Sequence, residues 1–175
     1  FSFGKILYMA DSFNNKILKY DHDSNEIYET NVGRDPRHMC MDSNNMYVAN
    51  FESDNISIID LETFTLSGSI PAGIKAHDVT YNPDNNSLYT TCYEENLLME
   101  YCLEEGKIRN IITVGKPMHL FIQDNTIIVM TYYVNGNIQT KINFIDLHGG
   151  KINYIITLDG LISDFQLDYE SNMLY

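Results

Sequence analysis

The sequence has no long hydrophobic run, no helical stripe and few basic residues, and each absence removes a class of protein. Its purely apolar stretches are only a few residues long, far short of what a bilayer-spanning helix needs. No segment repeats apolar residues at i, i+3, i+4 and i+7 over a useful length, so helix is expected to be negligible. Eleven Lys and Arg stand against 24 Asp and Glu, a formal charge of −13, and the basic residues are scattered singly. No stripe exists to track a phosphate backbone, which argues against nucleic acid as a partner. An acidic surface instead favours solubility and draws cationic ligands and metal ions. The three cysteines, Cys40, Cys92 and Cys102, show no CxxC spacing, so neither a disulfide framework nor a zinc knuckle is expected. All three read as buried thiols in a reducing compartment, with Cys92 lying across its hairpin from Leu98. Also missing are a GxSxG elbow, a phosphate loop, a dinucleotide glycine pattern and an HExxH pair. No cofactor is called for by any motif.

What is present is repetition. A short strand, a polar turn, a second strand closing on Asp, a third strand and then Gly return about every forty residues. The anchors are Tyr8, Tyr47, Tyr89 and Val129, and the closing glycines are Gly33, Gly73, Gly115 and Gly160. In the second unit, 46–50 and 56–60 are β-branched or aromatic runs split by Phe51-Glu52-Ser53-Asp54-Asn55, a turn rich in residues that tolerate left-handed backbone. Residues 66–70 alternate apolar and polar as an outer strand with one wet face should, and His77 to Tyr81 then forms the innermost strand of the next unit. The third unit uses 88–93, 97–103 and 108–114. The fourth uses 127–133, 141–147 and 152–158, with Val134 to Gln139 as a longer first turn. The first has 6–10, 17–21 and 27–32.

A period of this length with several strands per unit and no helical phase predicts an all-β fold, a β-propeller of four-stranded antiparallel blades. The blades are placed at 1–33, 34–73, 74–115 and 116–160, with a further blade opening at 161–175. Because the chain starts inside a strand and Met173-Leu174-Tyr175 repeats Ile6-Leu7-Tyr8, a piece of a longer ring is expected. A complete four-bladed ring, closed by a late strand around Ser163 to Asp168, and a dimer of half rings are the alternatives. A lone blade would leave both faces wet, so neighbouring units must stabilise one another.

The strongest chemical constellation is a ring. His38 lies five residues after Gly33, while His77, His119 and Asp164 lie four residues after Gly73, Gly115 and Gly160. Equivalent positions in a radial repeat converge, so three imidazoles and a carboxylate are expected at one mouth of the central channel. Such a group suits a small polar molecule, a sugar acid or a divalent metal, with His38, His77, His119 and Asp164 as the ligand set for the ion. The alternative is that each His hydrogen-bonds backbone at a blade junction. Arg37, Asp35, Lys75, Asp78, Lys116 and Met118 share the rim, where Arg37 and the lysines could hold a carboxylate or phosphate ester. Asp21-His22-Asp23-Ser24-Asn25 opens like a calcium loop, but Glu26 and Val32 stand where that loop needs Gly and Glu. It is assigned to a tight turn.

Tyr47-Val48-Ala49-Asn50, Ser53 to Asp60 and Ile70-Pro71-Ala72-Gly73 resemble the YVTN-type repeat of bacterial and archaeal surface and periplasmic propellers. Tyr8 to Ile17 is similar to the related NHL repeat. The resemblance implies a ring of seven blades and no single activity. Free cysteines favour a bacterial cytoplasm, whereas the resemblance opens the periplasm or cell surface. Pro36-Arg37-His38-Met39 is similar to a segment of the lactonase-type seven-bladed propellers that include 6-phosphogluconolactonase, which implies Arg37 and His38 as candidate catalytic residues. The acidic position of that family falls on Phe51 here. The leading expectation is a ligand-binding or protein-interaction scaffold with its site at the channel mouth, bound by Arg37, His38, His77, Asp78, His119 and Asp164. A lactone hydrolase and, below it, a metal or redox propeller are the other readings.

Overall fold

In the computed structural model, residues 2–3, 5–113, 115–135, 137–147, 149–162, 167–168 and 173–174 are described. They form no helix. The first sheet contains β1 (Ser2–Phe3), β2 (Ile6–Asp11), β3 (Lys16–Asp21) and β4 (Glu26–Asn31), and the second β5 (Pro36–Met41), β6 (Asn45–Asn50), β7 (Asn55–Asp60) and β8 (Thr65–Pro71). The third holds β9 (Ala76–Asn82), β10 (Ser87–Cys92), β11 (Leu97–Cys102) and β12 (Lys107–Ile112), and the fourth β13 (Lys116–Gln123), β14 (Thr126–Asn135), β15 (Asn137–Asp146) and β16 (Ile152–Asp159). A short pair, β17 (Leu167–Asp168) with β18 (Met173–Leu174), follows. Every sheet is an antiparallel meander in chain order, and the first strands β5, β9 and β13 lie against one another. These sheets are propeller blades with their first strands innermost.

The second strand of a blade shows why the blades need each other. All but the first residue of β6, and all six of β10, are buried, because both faces are covered. Successive side chains point to opposite faces, and the seams sort them accordingly. Met46 and Val48 pack with Tyr8 and Ile17 of the first blade, while Tyr47 and Ala49 pack with Ala76, Val79 and Leu88 of the third. Tyr89 and Leu98 of the third blade in turn meet Leu120, Ile127, Val129 and Ile145 of the fourth. The anchors Tyr8, Tyr47 and Tyr89 thus each face the following blade, whereas Val129 faces back to the third blade and Ile128 stands at the place of the tyrosines. Tyr47 also donates its hydroxyl to Asp42 at 2.6 Å, and Asn85 donates to the Tyr89 hydroxyl at 2.8 Å, so the buried phenols keep a polar partner.

The turns follow from local chemistry. Asn15, Asp54 and Asn96 adopt positive φ just before the third strand of their blades, the conformation that Asn and Asp tolerate best. Asp21 accepts the Asp23 N–H at 2.8 Å, and Asp60 accepts the Thr63 N–H at 2.7 Å. The strand-closing Asp is therefore a side-chain cap on the outer hairpin, and 21–25 is a tight turn.

Three expectations need correction. Val134 to Gln139 is not a long turn: β14 and β15 stay paired as far as Asn135↔Asn137. Tyr133 pairs with Gln139 and Val134 with Ile138, so the stretch continues the ladder. Cys92 pairs with Leu97 and not Leu98, because the turn between them is an even four residues. Only Cys92 is fully buried, and Cys40 and Cys102 keep partial exposure. Burial pushes the Cys92 thiol up to about 12 and raises that of Cys40 as well, so neither is reactive at neutral pH.

Candidate functional site

Each of the three inner strands β5, β9 and β13 carries a bulge against its neighbour, and the bulges build the site. Pairing jumps from Pro36↔Asn50 to Met39↔Val48, from Ala76↔Cys92 to Val79↔Thr90, and from Pro117↔Thr131 to Leu120↔Val129. Two inner residues therefore oppose one outer residue at each bulge, which re-aims side chains that a regular pleat would send to opposite faces. The pairs are Arg37-His38, His77-Asp78 and Met118-His119.

This register corrects the alignment by glycine. His38, Asp78 and His119 are the equivalent positions, while His77 matches Arg37 and Met118. Gly115 sits one residue later in its blade than Gly33 and Gly73 do in theirs, which is why counting from it misplaced the ring by one. Asp78 is accordingly not a rim residue but the centre of the cluster. Asp164 lies outside the described residues.

The three imidazoles do converge. Ring centroids are 4.7 Å apart for His38 and His119, 5.2 Å for His77 and His119 and 5.6 Å for His38 and His77. Nδ1 of His38 lies 3.5 Å from Asp78 Oδ1, and Nδ1 of His119 lies 3.5 Å from Asp78 Oδ2, so one carboxylate stands between two rings. His77 turns its Nδ1 to the Met118 carbonyl at 3.2 Å, which is the backbone contact across a blade junction that was the alternative role for these histidines. His77, Asp78 and His119 are buried, and His38 is half-exposed.

The buried carboxylate is held by more than the rings. Asp78 accepts the N–H of Val79 at 2.7 Å and that of Leu120 at 3.1 Å, the second from the next blade. Thr91, opposite the bulge, accepts the Asp78 N–H at 2.9 Å and donates to the Met118 carbonyl at 2.8 Å. It ties two bulges together. Nothing in its sequence surroundings singles it out, because its role exists only once the register is known. Burial, reinforced by His119 and His38, pulls the His77 imidazole down to about 4, and Asp78 opposes that shift. His77 is neutral at physiological pH.

The rim is less available than its charges suggest. Arg37 pairs with Asp35 at 2.7 Å and lies 4.9 Å over the Phe51 ring. Lys75 bonds Glu52 and also covers Phe51, and Lys116 bonds Glu94 at 3.1 Å and covers Tyr93 at 4.4 Å. Each cation already holds a carboxylate and an aromatic face, so the mouth is not a bare anion clamp. Phe51 also sets its ring edge-on against His77 at 5.9 Å, placing an apolar wall where the lactonase resemblance would put an acid. A depression lined by Leu7, Tyr8, Arg37, His38 and Met39 reaches the cluster from the side of the first blade. A second, mostly apolar cleft along Tyr93, Tyr132, Tyr133, Ile138 and Leu161 contains none of the histidines.

Comparisons with known proteins agree on the architecture. No family model matches the chain, and no curated protein sequence matches it. Among solved structures, hydrazine synthase of Kuenenia stuttgartiensis superposes with a TM-score of 0.85 at 20% identity, over 94% of this chain and 49% of that one. The β-propeller domain of Cps50 (Swd1) from Myceliophteria thermophila gives 0.77 at 12% identity, covering 97% of this chain and 58% of that one. The dihydro-heme d1 dehydrogenase NirN, in complex with DHE, gives 0.69 at 17% identity, over 90% and 36%. The chain is a β-propeller fold, and it spans about half the length of the first of these structures. Identities this low speak to fold alone. Among the described residues no helix is long and apolar enough to cross a membrane.

Proposed function

We propose that this chain is a ligand-binding propeller scaffold of the YVTN and NHL type, and that its site is the imidazole and carboxylate cluster at the mouth of the channel. One observation carries the reading. Asp78 sits between His38 and His119 with His77 alongside, and these four side chains come from three different blades. Burying an Asp and two His in one place is costly unless the groups are paired, and one ring nitrogen of each histidine lies within 4.8 Å of the others. The seven-bladed ring implied by the repeat belongs to the same reading. Binding is favoured over lactone hydrolysis because Arg37, which would polarise the carbonyl, is held by Asp35 and Phe51.

The test is a thermal-shift panel of sugar acids, dicarboxylates, primary amines and sugar phosphates on the wild type and on His38→Ala. At least one compound is expected to raise the melting temperature of the wild type by several degrees and that of the variant by little. A panel that stabilises both proteins equally, or neither, overturns the assignment of the site.

A further inference from the structure

We propose that the cluster is a metal site in which His38, His77 and His119 bind one late first-row divalent ion, zinc in the first instance, with Asp78 orienting two of the three ligands. The inference rests on the binding reading above and deepens it by naming what the site takes. Among the described residues, one ring nitrogen from each of these histidines lies within 4.8 Å of the others. Tetrahedral zinc with bonds of about 2.0–2.1 Å sets nitrogens roughly 3.4 Å apart. Drawing the rings in by about an ångström closes that gap, and His38, the half-exposed one, is on the open side of the cluster.

The orientation of the rings is the stronger argument. A metal-binding imidazole usually gives its other N–H to a carboxylate or a backbone carbonyl, which fixes the tautomer and aims the ring. His77 has such a partner in the Met118 carbonyl at 3.2 Å, and His38 and His119 turn Nδ1 toward the two oxygens of Asp78 at 3.5 Å, within reach of tightening as the rings draw in. A proton on Nδ1 in each would leave the lone pair on Nε2. Three imidazoles with no thiolate suit zinc, copper or nickel better than calcium or magnesium, which take oxygen. Three protein ligands also leave a fourth position for an oxygen or nitrogen of a bound molecule. The formal charge of −13 draws a cation toward the mouth.

The experiment is a cobalt(II) titration of the chelator-treated chain, followed by its visible ligand-field absorption and by displacement with zinc. Saturation at one equivalent with a four- or five-coordinate spectrum is expected. His38→Ala should weaken binding about a hundredfold or more, and Asp78→Asn, which keeps the ligands but loosens their aim, about ten- to a hundredfold. Paired substitution of the remaining histidines, His22→Ala with His148→Ala, should change nothing. Circular dichroism confirms that each variant is folded, and His38, being half-exposed, is the variant to rely on where His119→Ala is not. No cobalt spectrum at saturation, or binding unaltered by His38→Ala, overturns the proposal. If the chain binds no cobalt while a compound of the thermal-shift panel still distinguishes wild type from His38→Ala, the metal assignment falls and the binding reading stands. If neither responds, both fall.

Discussion

At the scale of single residues the consequential side chain is His77. Its folded-state value near 4 lies below the ordinary 6.5, so between those limits the unfolded chain carries a proton that the folded one does not. The contribution of the neutral ring is therefore full above pH 6.5 and is lost as pH falls toward 4. In buffer containing a chelator, the wild type should lose about 2 kcal/mol between pH 7 and pH 5 that His77→Gln does not lose. Urea unfolding of the two proteins at both pH values measures the difference, and parallel losses would show that His77 is not the group responsible. The sequence showed that these histidines belong together, because three of five stand at nearly constant distance from a glycine. It could not show which of them are equivalent. A bulge adds a residue to one strand without any compositional mark, so His77 and Asp78 exchanged places between the expected ring and the observed one.

At the scale of elements, hairpins and their punctuation were legible almost throughout, since β-branched runs broken by Asn, Asp and Gly have few other readings. The exception was the β14–β15 hairpin of the fourth blade, where the stretch between 134 and 139 resembled a loop but extends the ladder. Glycines carry the sharpest expectation here. A Cβ on Gly73 would lie 2.5 Å from Cys92 Sγ and 2.8 Å from Cys92 Cβ, whereas one on Gly68 would meet nothing closer than Ile58 at 4.0 Å. Gly73→Ala should therefore destabilise by about 2 kcal/mol, as overpacking in a tight seam does. Gly68→Ala should be neutral or stabilising by up to about 1 kcal/mol through the unfolded state. Denaturant midpoints decide this, and equal midpoints would mean that the contact at Gly73 relaxes freely.

At the scale of the whole molecule, stability is distributed over the seams between blades. Leu98 is fully buried and packs against Leu120, Ile127 and Val129 of the next blade. Leu98→Ala should cost about 3 kcal/mol, the usual range for a cavity of that kind. Because the second strands are covered on both faces, this loss should lower a single unfolding transition measured by fluorescence and circular dichroism alike. Separate transitions for the two signals would indicate blades that melt independently. The ring-like arrangement was readable from period alone, since a unit of about forty residues with several strands has few other ways to cover its faces. The meeting of the three imidazoles at the hub was readable too, but Asp78 as the carboxylate between two of them was not, because it depends on the register of the bulges.

The bulges give this hub an unusual grammar. Each blade contributes a two-letter syllable, Arg37-His38, His77-Asp78 or Met118-His119, and the flanking ladder pairs resume their register on either side whatever the syllable spells. Rewriting a syllable therefore changes the chemistry offered to a visitor while leaving the spokes of the wheel as they were. Transplanting His77-Asp78 into the place of Met118-His119 should keep the ladder and the count of three imidazoles while installing a second acid beside the first, doubling the negative charge at the hub.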